Sequence, residues 1–308
     1  MNNIALIVYN PFYAFCEKVF AEARISKHNS KFSNKIYSNY YHWYLIIMKE
    51  KLDLSYREII SFIKSNNVQR SLGYSKIPNY STLFYFLKRT DKLLIRKVLH
   101  ATARLMNNNS GKLSIDSTGI SLANPSHHYL RRIKKIYVKG FVKTSIVIDV
   151  KTKIIVNADT HSNKQHDNLD FLPLIQELQQ LGISITIIYA DKAYDANKNF
   201  KFAYHNGIKP LIPVRNYSQT ARGHSDKGTI HGIYRRKANN DFDECEYHQR
   251  SNSESGNSSF KRKYGSSINS RLKEFQEKEP LLKLIVYNID LVRKTFSLLL
   301  VTLTKVFN

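Results

Sequence analysis

Four side chains with chemical capability stand in "CEYHQRSNSESGNSSFKRKYG", Cys245 to Gly265: Tyr247, Arg250, Glu254 and Lys261, at steps of three, four and seven. Those steps are helical. At about 100° per residue they fall within an arc of roughly 60°, so one helix projects a phenol, a guanidinium, a carboxylate and an ammonium from a single face. The serines, asparagines and glycine around them favour loops and caps over helix interiors, so that helix is weakly favoured by propensity.

Two more carboxylates occupy comparable places, Asp116 in "LSIDSTG" and Asp191 in "TIIYADKAYD", each following an apolar β-run. Ligands in α/β sheets collect at strand ends. Taken singly, such an aspartate is a turn former or the cap of the next helix, and Glu254 among serines is a solvated side chain. Together the three have another use. Cleaving and rejoining phosphodiesters requires charge stabilisation on attacking and leaving oxygens, which two Mg²⁺ ions can supply, and Mg²⁺ favours carboxylate ligands. Three acids gathered without a cation would raise one another's pKa values. Asp116, Asp191 and Glu254 are therefore expected to be catalytic and to bind metal, Mg²⁺ or Mn²⁺, as two ions.

The elements that must position these residues read as a mixed α/β plan behind a helical region. From about residue 11 to 106 apolar residues recur at helical spacing; Asn10 with Pro11 suggests a helix start, and Ser55 and Ser81 are candidate N-caps. Glu58 completes a capping box with Ser55. "NNNSG", Asn107 to Gly111, marks a boundary, giving expected domains 1–106 and 111–308. Beyond it lie β-runs "KLSIDSTGISL", "KTSIVIDV" and "KIIVNAD", whose connections, too short for a helix except for a basic excursion from Ser126 to Lys139, suggest antiparallel pairing. A fourth, "SITIIYAD", follows the helical stretch "NLDFLPLIQELQQLG" and should be parallel to one of them. "KPLIPVR" is a further short strand, and residues 216–246 read as a long loop.

The 308 residues carry 48 Lys and Arg against 24 Asp and Glu, a formal charge of +24 spread along the chain. That balance favours a polyanionic partner, nucleic acid foremost. Two cysteines, Cys16 and Cys245, are not expected to build a disulfide framework or a four-ligand zinc site. The N-terminus does not read as a signal peptide, and "LLKLIVYNIDLVRKTFSLLLVT" contains Lys283, Asp290, Arg293 and Lys294. Those charges argue against a membrane span and for an amphipathic helix on the core. No membrane association is expected, and the expected location is cytoplasmic, with the nucleoid.

The order Asp116, Asp191, Glu254, the strings "DSTG" and "ADKAYD", and Tyr-x2-Arg-x3-Glu-x6-Lys from Tyr247 to Lys261 resemble the DDE transposases of bacterial and archaeal insertion sequences, the group with a Y-R-E-K signature. The resemblance covers roughly residues 111 to 300. It implies a ribonuclease H-like mixed sheet with flanking helices, preceded by an all-helical N-terminal domain. It further implies double-stranded DNA as partner, both terminal inverted repeats and target, a homodimer on that DNA, and metal-dependent cleavage followed by strand transfer. On this reading Arg250 suits bidentate phosphate contact, Lys261 a point-charge contact, and Tyr247 a phosphate or a base. A buttressing role for all three beside Glu254 stays open. So do two rival functions: a nuclease of the same fold, and a domesticated DNA-binding protein without catalysis.

Other nucleic-acid-binding candidates are Arg131, Arg132, Lys134, Lys135 and Lys143 in a basic excursion interleaved with aromatics, which suits a backbone-binding ribbon or a solvated hairpin. Arg262 and Lys263 extend the basic face of Lys261. His166 and Asp167 could pair on a metal, but Asp167 reads better as the cap of the following helix. Residues 56–89 could form a helix-turn-helix reader of terminal repeats or a packing-only helical domain.

Overall fold

The computed structural model describes residues 2–32, 35–106, 110–122, 140–163, 165–215 and 230–306, with side chains from 11 to 295. The chain divides into two compact units, Met1–Asn107 with Lys263–Asn308, and Asn108–Arg262. The first boundary lies where the asparagine run suggested one. The C-terminal segment, expected in the same domain as the acids, instead groups with the N-terminal helices.

The helical unit begins with α1 (Asn2–Glu22), α2 (Asn39–Lys51), α3 (Tyr56–Ser65), α4 (Val68–Ser71), α5 (Tyr80–Arg89) and α6 (Lys92–Leu105). α1 starts ahead of the expected Asn10 cap and runs through Pro11. At α3 the capping box forms: Ser55 Oγ accepts from Glu58 N at 3.3 Å and Glu58 Oε2 from Ser55 N at 2.7 Å. At α5 the cap is Asn79, whose side chain accepts from both the backbone and the hydroxyl of Ser81 at 3.0 Å, so Ser81 is two residues too late for the role. α2 is buried nearly all round, from Tyr40 to Met48, as a helix at the centre of a bundle must be.

The other unit is built on five strands, β1 (Lys112–Leu122), β2 (Phe141–Asp149), β3 (Ile155–His161), β4 (Ile187–Tyr189) and β5 (Lys209–Leu211), in the order β3-β2-β1-β4-β5. β2 is antiparallel to β1 and β3, while β4 is parallel to β1 and β5 to β4. These are the pairing directions read from sequence, with the helical crossover leading into the parallel strand β4. Pro210 lies in β5, the last strand of this order, where a missing N–H is tolerated. This order and these directions are those of a ribonuclease H-like sheet.

Its helices are α7 (Asn168–Gln180), α8 (Asn197–His205), α9 (Ile233–Asn240), α10 (Glu244–Tyr247) and α11 (Arg250–Tyr264). α9 and α10 replace much of the expected long loop: Gly232, with φ 96°, leads into α9, and Asp243 caps α10. Because side chains alternate across a strand, β1 sends Leu113, Ile115 and Ser117 to one face and Ser114 and Asp116 to the other. α7 packs on β3 and against the 3-10 turn Lys192–Tyr194, whereas α11 contacts Ser114 and Asp116.

The chain returns to the helical unit with the end of α11 and with α12 (Lys273–Val306), which packs on α2 and α6. Instead of presenting its charges to solvent, α12 buries Lys278, Glu279, Lys283 and Asp290. Each is compensated, as burial of charge requires. Lys283 reaches Glu279 at 3.4 Å and the Ser267 carbonyl at 2.8 Å; Asp290 accepts from Lys263 and Tyr264, both at 2.5 Å, and from Lys51. No described helix is long and apolar enough to cross a membrane.

Candidate active site

The residues that look like loop formers in the opening stretch are what seats α11 on the sheet. Its buried positions are Ser253, Gly256, Phe260 and Tyr264, the three- and four-residue spacing of one helical face. Ser253 Oγ donates to Ser114 Oγ at 2.9 Å. A Cβ on Gly256 would stand 2.5 Å from Ile148 Cδ1, so glycine permits the close approach to β2. One turn from Glu254, Asn257 donates from Nδ2 to Asp116 Oδ2 at 3.2 Å. The helix is thus fixed to the strand that carries the first acid.

Asp116 sits in mid-strand, opposite Ile146 on β2. Its Oδ1 accepts from Ser117 N at 2.9 Å. Burial pushes its carboxyl above the usual range and the charge of Asp191 adds to this, against lowering by Arg250, Ser117 and Asn257. Asp191 follows β4 and caps the 3-10 turn, its Oδ1 accepting from Ala193 N at 2.8 Å. The turn-capping role that the sequence left open is therefore filled, while the same carboxylate acts electrostatically on Asp116.

Arg250 spans two of the acids: Nη1 lies 2.6 Å from Glu254 Oε1 and Nη2 4.0 Å from Asp116 Oδ1. Its Nε is buried with no hydrogen-bond partner among the described residues. Glu254 itself is largely exposed. Tyr247 is separated from this helix, because the chain breaks at His248 and Gln249 between α10 and α11. Its phenol donates to the Ala190 carbonyl at 3.3 Å, and its ring packs against Val150, Tyr189 and Leu211, which raises its pKa by burial. Tyr247 thus braces the backbone next to Asp191 rather than sharing a helical face with Glu254.

Among the described residues no three His, Cys, Asp or Glu side chains stand clustered as a ready metal site; Glu254 is engaged by Arg250. The donor chemistry nonetheless suits a hard divalent cation. Asp116, Asp191 and Glu254 offer only carboxylate oxygen.

The basic candidates separate. Arg131, Arg132, Lys134 and Lys135 lie outside the described residues. Lys143 does not face solvent: it is 5% exposed, with its ammonium 2.7 Å from Asp170 and 3.0 Å from Asp167, so it cannot reach a phosphate. Lys263 is tied to Asp290. Lys261 is half-buried and Arg262 exposed. Asp167 occupies the cap position of α7 but makes no cap bond; the Asn168 amide donates instead to His166 Nδ1 at 3.3 Å, since the Asp167 carboxylate faces Lys143.

Sequence reasoning also missed the polar network on the opposite face of β1. Ser117 Oγ bonds Ser145 Oγ at 2.8 Å and Tyr194 OH at 2.9 Å, and Ser145 donates to Asp170 at 2.6 Å. Burial works against ionisation of Asp170, but bonds from His161, Lys143 and Ser145 overcome it and pull its pKa down to about 2. Ser117 follows Asp116 and Tyr194 ends the turn capped by Asp191, so this network joins the supports of both aspartates. The signal available was the strand alternation, which puts Ser117 and Ser145 on one face.

The ribonuclease H-like sheet thus carries carboxylates on its first strand, after its fourth and on a following helix. The family model for the transposase DDE domain matches residues 109–289, more than half of the chain. The protein belongs to that family. It is accordingly a DNA transposase, an enzyme of DNA cleavage and strand transfer, in a family that works with divalent metal. Among solved structures, the cryo-EM structure of a piggyBac transposase synaptic complex with hairpin DNA is similar at a TM-score of 0.43 and 9% identity, covering 96% of this chain and 75% of that chain. A search of curated proteins returned no match.

Proposed function

We propose that Asp116, Asp191 and Glu254 form the site at which this transposase cleaves the ends of its element and joins them to target DNA, acting as a homodimer on terminal inverted repeats. The observation that carries the assignment is the guanidinium of Arg250, set between Glu254 and Asp116 on a helix pinned to β1 by Asn257. Asp116, Asp191 and Glu254 would hold Mg²⁺ or Mn²⁺, two ions on the family pattern. Bound there, divalent cations supply charge stabilisation to the attacking and leaving oxygens of an in-line displacement.

The chain's own groups do the positioning. Asn257 and the Ser117 amide orient the Asp116 carboxylate, and the cap bond from Ala193 orients that of Asp191. Arg250 offers a planar pair of N–H donors that matches a phosphate. Tyr247 holds the Ala190 carbonyl beside Asp191. Lys261 and Arg262, further along α11, carry charge toward the flanking strand.

Asp191→Asn tests this directly. An asparagine oxygen still accepts from Ala193 N, so the turn persists, and the basic surface is untouched. With labelled element ends and a supercoiled target, the variant should retain DNA but neither nick nor join it. Wild-type cleavage by the variant removes Asp191 from the site. In the same assay nicks without joined products from the unaltered protein would mean a nuclease, and retention without cutting a binding protein.

A further inference from the structure

We propose that a second phosphate-binding site lies in the pocket between the β2–β3 turn and the first turn of α11, and that it grips the DNA backbone away from the acids. This rests on the transposase reading for its ligand. The pocket has a volume of about 550 Å³ and is lined by Ser110, Lys112, Val150, Lys151, Lys153, Gln249 and Asn252. Val150 and the lysine stems form its floor, while the ammonium, amide and hydroxyl groups around it are the donors that contact a phosphate backbone.

Of its three ammonium groups, only that of Lys112 is neutralised, by Glu246 at 2.8 Å. Lys151 and Lys153 have no acidic partner among the described residues. Their turn is nevertheless rigidly built. Asp149, 1% exposed, accepts on Oδ1 from Lys151 N at 3.1 Å, Thr152 N at 2.7 Å and Thr152 Oγ1 at 2.9 Å. Its Oδ2 takes the amide of Ser110 at 2.8 Å and its hydroxyl at 2.7 Å. One buried carboxylate thereby fixes the turn and the chain entering β1.

Lys153 adopts φ 61°, a left-handed conformation that glycine takes without strain and other residues at a cost. Local folding would be better served by glycine, so the lysine side chain is there for what it reaches. Asn252 lies two residues before Glu254, about 200° around α11, which sends the pocket to the other side of that helix from the acids. A backbone held here is a segment other than the scissile one.

The test is the double variant Lys151→Ala/Lys153→Gly, bound to a duplex without element ends and followed by fluorescence anisotropy across salt. Each lost phosphate contact reduces the slope of log affinity against log salt by about 0.9, so wild-type affinity should fall about 12-fold more than that of the variant between about 50 and 200 mM salt. Because glycine suits the Lys153 backbone, the melting temperature should be equal or higher, which separates lost contact from lost fold. The single Lys151→Ala, on an exposed side chain, should show about 3.5-fold of the effect. Equal salt slopes for variants and wild type overturn the proposal, including the case of a pocket that takes only free phosphate compounds. Cleavage of element ends by the wild-type protein, run in parallel, reads the transposase assignment separately: its absence would leave the pocket standing as a DNA contact.

Discussion

Replacing Gly256 by alanine probes how closely α11 must approach the sheet. The added Cβ would meet Ile148 Cδ1 at 2.5 Å, where ordinary contacts begin at 3.4 Å, so helix and strand must part by about 1 Å or Ile148 must leave its rotamer. Overpacking of this kind costs about 1 to 3 kcal/mol, and the gain in helix propensity over glycine returns about 1 kcal/mol. Net stability should therefore fall by no more than about 2 kcal/mol. Catalysis should suffer more. Asn257 and Arg250 ride on the same helix, and a displacement of about 1 Å in a catalytic group costs about 100-fold in rate. Single-turnover cleavage at saturating divalent cation and DNA, beside thermal unfolding, measures both. Ile148→Val removes the offending methyl at about 0.5 to 1.5 kcal/mol and should restore cleavage to Gly256→Ala in the double variant. Full activity in Gly256→Ala alone, with raised melting temperature, would refute the claim that this contact sets the site.

Arg250→Lys retains the charge but cannot span Glu254 and Asp116 as the guanidinium does, so its cleavage rate should drop, and Arg250→Ala should lose about 2 to 4 kcal/mol of transition-state stabilisation; a wild-type rate for Arg250→Lys would make this arginine structural. Asp170 should make the fold acid-sensitive. Its folded pKa of about 2 lies below the ordinary 3.8, so its contribution is complete above about pH 4 and is lost as pH falls through 2, about 2 kcal/mol in all. Unfolding free energies of wild type and Asp170→Asn should converge over that interval, and a constant difference between them would show that Asp170 is not ionised in the folded protein.

The strands and their directions were legible because they rest on local pattern, apolar runs and the helical crossover, and Asp191 lies after β4 as its run suggested, whereas Asp116 falls in mid-strand because β1 continues past it to Leu122. The capping box of Ser55 and Glu58 is local in the same way. What escaped depends on partners distant in sequence. Lys143 stands among basic residues and reads like them, yet its environment is set by Asp170, 27 residues away. Tyr247 keeps helical spacing to Arg250, but two residues outside any helix intervene. The charges of α12 resemble a solvent face until Lys51 and Lys263 are brought to Asp290. Asn257 is the residue of the candidate site nearest to being readable, since it lies three positions after Glu254 and so on a neighbouring stripe of the same helix.

Pro210 in β5 has a bearing on solubility. Among the described residues β5 ends the sheet, and an exposed strand edge is a template for pairing with another chain. This edge is three residues long, lacks one amide hydrogen at Pro210, and carries exposed Lys209, 3.6 Å from Asp243. An incoming strand would find one donor missing and a charge beside it. The chain is in this way guarded against adding strand to strand through this edge, which keeps sheet-to-sheet aggregation from competing with DNA for the protein.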